Sequence, residues 1–138
     1  MRQMRGRRLW IGNAGDLRDP RSLLAAGVMA VVELADNEPP ATLPRELVRL
    51  RFPLADGGDN PEWLLRLAVN SVVALLDADV PTLIACSCGL NRSVCLAAAA
   101  LAPKDGLHFE EMLLNVAKAG PADVSPRLAA QFQAALGH

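Results

Sequence analysis

A chain of 138 residues, 51% of them hydrophobic, has material for one hydrophobic core but not comfortably for two. Its net charge of −1 at pH 7 gives no global reason to expect a nucleic acid or an anionic membrane as partner, and no apolar run reaches the roughly 18 residues that a membrane span needs. Three cysteines, an odd number, argue against a disulfide scaffold and predict a reducing, cytoplasmic setting, and no apolar stretch of a secretory signal follows the basic start Met1 to Arg8.

Residues 1–8, with Arg2, Arg5, Arg7 and Arg8, read as a solvated and poorly ordered terminus ahead of a single domain spanning 9–138. Leu9 to Ile11 begins a strand. Asp19 and Pro20 supply an N-cap and a first-turn proline for a short helix that Gly27 ends. Val28 to Leu34 is a β-branched run suited to a buried strand, and Pro39, Pro40 and Pro44 make residues 35–46 a loop. Leu47 to Phe52 reads as a third strand. Asp56-Gly57-Gly58-Asp59 is expected to be a mobile loop, after which Asn60-Pro61-Glu62 caps a long helix to about Ala78, with Leu64, Leu67, Val72 and Leu75 among its apolar residues. Pro81 to Cys86 is the central strand. Helices are expected at about 92–102, 108–118 and 125–136, the second closed by Gly120-Pro121 and the third opened by Ser125-Pro126. This order predicts a single α/β domain built on a mostly parallel sheet of about four to five strands with helices on both faces, its site at the carboxyl end of the central strand.

The chemistry is concentrated in Cys86-Ser87-Cys88-Gly89-Leu90-Asn91-Arg92-Ser93. A strand, a tight loop and a helix start form an anion trap: the loop N–H groups of Ser87, Cys88, Gly89, Leu90, Asn91 and Arg92 converge, and the helix adds the positive end of its dipole. Arg92 supplies a planar fork matched to two phosphate oxygens. Cys86 sits where the same field favours the nucleophilic thiolate, and Gly89 permits the turn. Together these groups predict phosphoryl transfer through a covalent cysteine intermediate, with no metal or cofactor required.

This motif resembles the signature of the cysteine-dependent protein phosphatases, which is Cys, five residues, Arg, then Ser or Thr. The wider pattern resembles the compact dual-specificity branch, from Leu9-Trp10-Ile11-Gly12-Asn13 onward. The resemblance implies a general-acid Asp about thirty residues before the cysteine, after an apolar-Pro-apolar step. Phe52-Pro53-Leu54-Ala55-Asp56 fits, Asp56 standing 30 residues ahead of Cys86, with Asp59 as its rival. Residues 9–138 are then a phosphatase-like catalytic domain. The expected roles are Cys86 as nucleophile, Arg92 as phosphate ligand, Asp56 as general acid and then base, and Ser93 as a hydrogen-bond donor to the sulfur. The expected partner is a phosphoprotein or another phosphomonoester, handled by a monomer.

The chain departs from that pattern at Ala85, where the family usually has a His that supports the loop. A weakly active or inactive phosphate-binding module is therefore an alternative. Tyrosine is absent, so the loop by which tyrosine-specific members grip phosphotyrosine is not recognisable, and a short chain implies a shallow pocket open to phosphoserine and phosphothreonine. No lysine lies in residues 87–91, unlike the basic loops of phosphoinositide phosphatases. Asn91 before Arg92 is similar to the RNA 5′-phosphatases of the same superfamily, although those generally lack the loop Asp. A redox or metal role for Cys86 and Cys88 ranks last, since this pair makes a poor zinc site and a strained disulfide. Cys95 reads as a buried small hydrophobe. His108, near a helix start, and His138 at the end offer no catalytic role.

Overall fold

The computed structural model describes residues 1–136; His138 lies outside them. Thr82-Leu83-Ile84-Ala85-Cys86 is apolar on both faces and therefore needs neighbours on both edges and both faces. It forms β5 (Thr82–Cys86), buried at every residue, between two parallel neighbours, β2 (Leu9–Asn13) and β3 (Ala30–Ala35). A fourth parallel strand, β4 (Val48–Leu54), lies beyond β3, and β1 (Arg2–Gln3) adds an antiparallel edge beside β2. The sheet order is β1-β2-β5-β3-β4.

The side-chain alternation of β5 separates two cores. Leu83 and Ala85 join Trp10, Leu17 and Val31 on the face covered by α1 (Pro20–Ala25). Ile84 and Cys86 face the larger core made with α2 (Glu62–Asp77), α3 (Arg92–Asp105), α4 (Phe109–Lys118) and α5 (Pro126–Ala135). In α3 every residue from Arg92 to Ala102 is buried, because a run of alanines lets the sheet and the neighbouring helices approach closely. The alternation thus delivers Cys86 to the α3 side at the carboxyl end of the central strand, where α3 begins.

Several local expectations change. Arg2 and Gln3 pair with Ile11 and Trp10, Met4 is buried, and Arg7 is ion-paired with Asp105, so the basic terminus is woven into the sheet edge. Pro53 lies inside β4, which an edge strand tolerates because its N–H side needs no partner. α3 runs past its expected end near Ala102, through Pro103, to Asp105 before Gly106 at φ 67° turns the chain out. Leu67 is exposed rather than core. Pro61, not Asn60, stands at the N-cap of α2 and makes no side-chain cap, because the Asn60 amide is engaged elsewhere. The expected caps at Asp19 and Ser125 are present, each accepting from a first-turn N–H.

Candidate active site

The loop between β5 and α3 is held from outside by its carbonyls. Ser87 accepts from the N–H of Ala14 at 3.3 Å and Leu90 from that of Asp123 at 2.9 Å. None of the main-chain N–H groups from Ser87 to Asn91 donates to another part of the described chain. Carbonyls turned outward and donors left inside are the arrangement of an anion-binding nest. Gly89 has φ +72°, and a Cβ there would stand 2.8 Å from the carbonyl oxygen of Gly12, so both backbone conformation and space require glycine. Asp56, Cys86, Ser87, Cys88, Leu90, Asn91, Arg92 and Asp123 line a cavity of about 100 Å³ over this loop. Cys86 is 3% exposed, and Ser93, at the start of α3, is fully buried with its Oγ unpartnered.

Arg92 is 2% exposed and divides its fork between protein and pocket. Nη1 donates to Leu54 O at 2.8 Å, Asn37 Oδ1 at 3.1 Å and Asp36 Oδ1 at 3.3 Å, which fixes the guanidinium against the ends of β3 and β4. Nε is buried without a hydrogen-bond partner and lies 3.7 Å from Asp56 Oδ1. A buried donor without a partner is costly, roughly 1–3 kcal/mol. Oxygens of a tetrahedral oxyanion would relieve Arg92 Nε, while Ser93 Oγ makes no hydrogen bond to Cys86 Sγ here, so the donation to sulfur expected of it is not formed in this structure.

Asp56 faces the loop from across the cavity, its Oδ1 accepting from Asn91 Nδ2 at 2.5 Å. Asp59 points away, 89% exposed and paired with Arg127. Hydrogen bonds tie the segment 56–59 to its flank and to α5. Asn60 bridges back to Ala55 through both its amide atoms, and Gln131 of α5 accepts from Asn60 and donates to Gly58 O.

Three polar residues of the site had no role in the sequence reading, Asp36, Asn37 and Asp123, and Ser125 had one only as the start of α5. Ser87 Oγ donates to Asn37 Oδ1 at 3.1 Å, which joins the β3 end to the loop. A polar Asp-Asn pair directly after a buried strand that neighbours the central one was the available signal, since ligands bind at the carboxyl ends of such strands. Cys95 is fully buried, and burial, reinforced by negative charge on Cys86 and Asp56, pushes its thiol up to about 12. Cys86, Cys88 and Cys95 are free thiols, and Cys88 is exposed. Among the described residues no group of three or more His, Cys, Asp or Glu could hold a metal ion. His108 is the N-cap of α4, far in role from this loop.

No family model matches the chain, and no curated protein does. Solved structures match closely in shape. Human DUSP28 superposes with a TM-score of 0.80 at 25% identity, over 93% of this chain and 90% of its own. DUSP15 gives 0.79 at 20% identity, over 97% and 85%. The human tyrosine phosphatase-like serine/threonine/tyrosine-interacting protein gives 0.77 at 14% identity, over 94% and 91%. The chain resembles the cysteine-dependent phosphatases of the compact dual-specificity branch, and its α/β fold is theirs.

Proposed function

We propose that this chain is a phosphomonoester hydrolase, a dual-specificity protein phosphatase that works through a phosphocysteine. The observation that carries the reading is the loop from Cys86 to Ser93: a buried thiol beneath unpaired main-chain donors, with Arg92 Nε and Ser93 Oγ both buried and unpartnered beside it.

In the first step Cys86 Sγ attacks phosphorus. The S–P bond forms, the bond to the leaving oxygen breaks, and Asp56 gives that oxygen its proton. The loop N–H groups and Arg92 hold the equatorial oxygens, where transition-state charge is spread. In the second step Asp56, now a carboxylate, takes a proton from water. That water attacks phosphorus and releases phosphate and the Cys86 thiolate, whose sulfur accepts a hydrogen bond from Ser93.

The pocket favours a single phosphate on an uncharged or basic carrier. Its lining includes Asp123, Asp36 lies against Arg92, and among the described residues Arg92 is the one basic side chain that lines it. Polyanions such as phosphoinositides or RNA ends would meet those carboxylates. Phosphoserine, phosphothreonine and phosphotyrosine in a protein remain the best-fitting class. Each group named comes from one chain, so a monomer suffices, and three free thiols suit a reducing, cytoplasmic setting.

A second reading, a phosphate-binding module with little turnover, is favoured by Ala85. One pair of measurements separates them. Hydrolysis of an aryl phosphate by the wild-type chain, lost in Cys86→Ser while vanadate still binds, supports the enzyme. Arg92→Lys should lose both, because a point charge cannot replace the fork. Vanadate binding without any wild-type turnover would establish the binding module instead.

A further inference from the structure

An asparagine at a helix N-cap ordinarily turns its oxygen back onto an N–H of the first turn. Asn91, the N-cap of α3, makes no such bond. Its side chain, 8% exposed, reaches across the site: Oδ1 accepts the N–H of Ser125 at 2.9 Å, and Nδ2 donates to Asp56 Oδ1 at 2.5 Å. The orientation of the amide follows from the partners. A backbone N–H can only donate, so the atom facing Ser125 is the oxygen, and the NH₂ therefore faces the carboxylate. Forgoing the cap also leaves the first-turn N–H groups of α3 open to an anion.

The acid loop is tied a second time, on the side away from Asn91. Gln131 Oε1 accepts from Asn60 N at 3.2 Å and from Asn60 Nδ2 at 3.0 Å, while Asn60 Oδ1 accepts from Ala55 N at 2.8 Å. Gln131 and Ser125 both belong to the α5 segment. The acid loop, the phosphate loop and the start of α5 are thus joined through the side-chain amides of Asn91, Asn60 and Gln131.

We infer that Asn91 and Gln131 are positioning residues for Asp56, which make α5 part of the device that sets the acid over the phosphate loop. Asn91 occupies Oδ1, so Oδ2 is the oxygen left to carry the proton to the leaving group. The loop is thereby set in place before substrate arrives, in contrast to the mobility that its two glycines suggest. This inference rests on the hydrolase reading above, with Asp56 as acid.

The test compares an alkyl phosphate, whose leaving oxygen needs a proton, with an activated aryl phosphate, whose leaving oxygen does not. Full loss of a general acid is worth roughly 10²–10⁴ in rate, so loosening one should cost a fraction of that. Gln131→Ala is expected to slow the alkyl ester about tenfold and the aryl ester by less than about twofold. Asn91→Ala should slow the alkyl ester at least about tenfold more than the aryl one. In an Asp56→Asn background neither change should retain this selectivity, because the group they position is gone. Equal losses on both esters, or a selective loss that persists in the Asp56→Asn background, would overturn the inference. If Asn91→Ala does not fold by thermal melting, Gln131→Ala decides alone. Failure of the underlying hydrolase reading looks different: Asp56→Asn itself would then show no selective loss.

Discussion

Glu33 and Ala85 stand directly opposite each other in neighbouring parallel strands, and both line a cavity of about 330 Å³ on the α1 side of the sheet that also reaches Cys86. Glu33 is buried there with Arg49 Nε at 2.7 Å and the N–H of Ala41 at 3.1 Å, and Arg51 lies 3.5 Å away. Related phosphatases are expected to carry a His at the place of Ala85, so the space beneath the loop lies where that side chain would stand.

Ala85→His is therefore expected to fold with little loss, since the cavity can take the ring. Filling a close-packed site would cost roughly 1–3 kcal/mol instead. A histidine there can donate a hydrogen bond that supports the loop, so iodoacetate should alkylate Cys86 faster at mildly acid pH than in the wild type. Melting curves and alkylation rates measured together check both halves. A stable variant with an unchanged alkylation rate would mean that the loop is already organised without histidine.

The two acids of the loop should separate cleanly. Asp56→Asn is expected to slow an alkyl phosphate far more than an activated aryl phosphate, within the roughly 10²–10⁴ range of a general acid. Asp59→Asn removes only an exposed ion pair with Arg127, which is worth about 0–1 kcal/mol, and should leave the ratio of the two rates unchanged. Steady-state kinetics on the two esters reads both variants. A selective loss in Asp59→Asn would reassign the acid.

How far the site could be read in advance depended on whether a residue acts locally or through a distant contact. The run Pro81 to Ser93 was legible, because an apolar strand, a glycine and a helix start within a dozen or so residues dictate their own geometry. Asp56 was legible only by its spacing, and its environment was not. The amides that anchor its loop come from Asn91 and Gln131, which are 35 and 71 or more residues away along the chain. Asn60 and Asn91 were read by their commonest local use, as a cap and as a loop amide, whereas tertiary contacts claimed both side chains. β1 was missed for a related reason: two residues paired at a sheet edge leave no periodicity to detect.

The three thiols should report their surroundings. Cys88 is exposed and Cys95 is fully buried with its thiol pushed up to about 12, so at about pH 8 iodoacetamide should label Cys86 and Cys88 and leave Cys95 unlabelled until the chain unfolds. Millimolar peroxide should inactivate hydrolysis, and added thiol should restore it. Peptide mapping by mass checks the labelling. Complete recovery in Cys88→Ala would show that Cys88 plays no protective part, and labelling of Cys95 in the folded chain would contradict its burial.

The central claim is that phosphate passes through sulfur. In the proposed mechanism Asp56 is acid in the first step and base in the second, so Asp56→Asn given an activated aryl phosphate should still form the phosphocysteine but release it slowly. Rapid quenching followed by intact-protein and peptide mass measurement should find one phosphoryl group per chain, carried on Cys86, and none in the Cys86→Ser,Asp56→Asn double variant. A quenched enzyme that turns over substrate yet carries no phosphoryl group on Cys86, or carries it on another residue, would contradict the account.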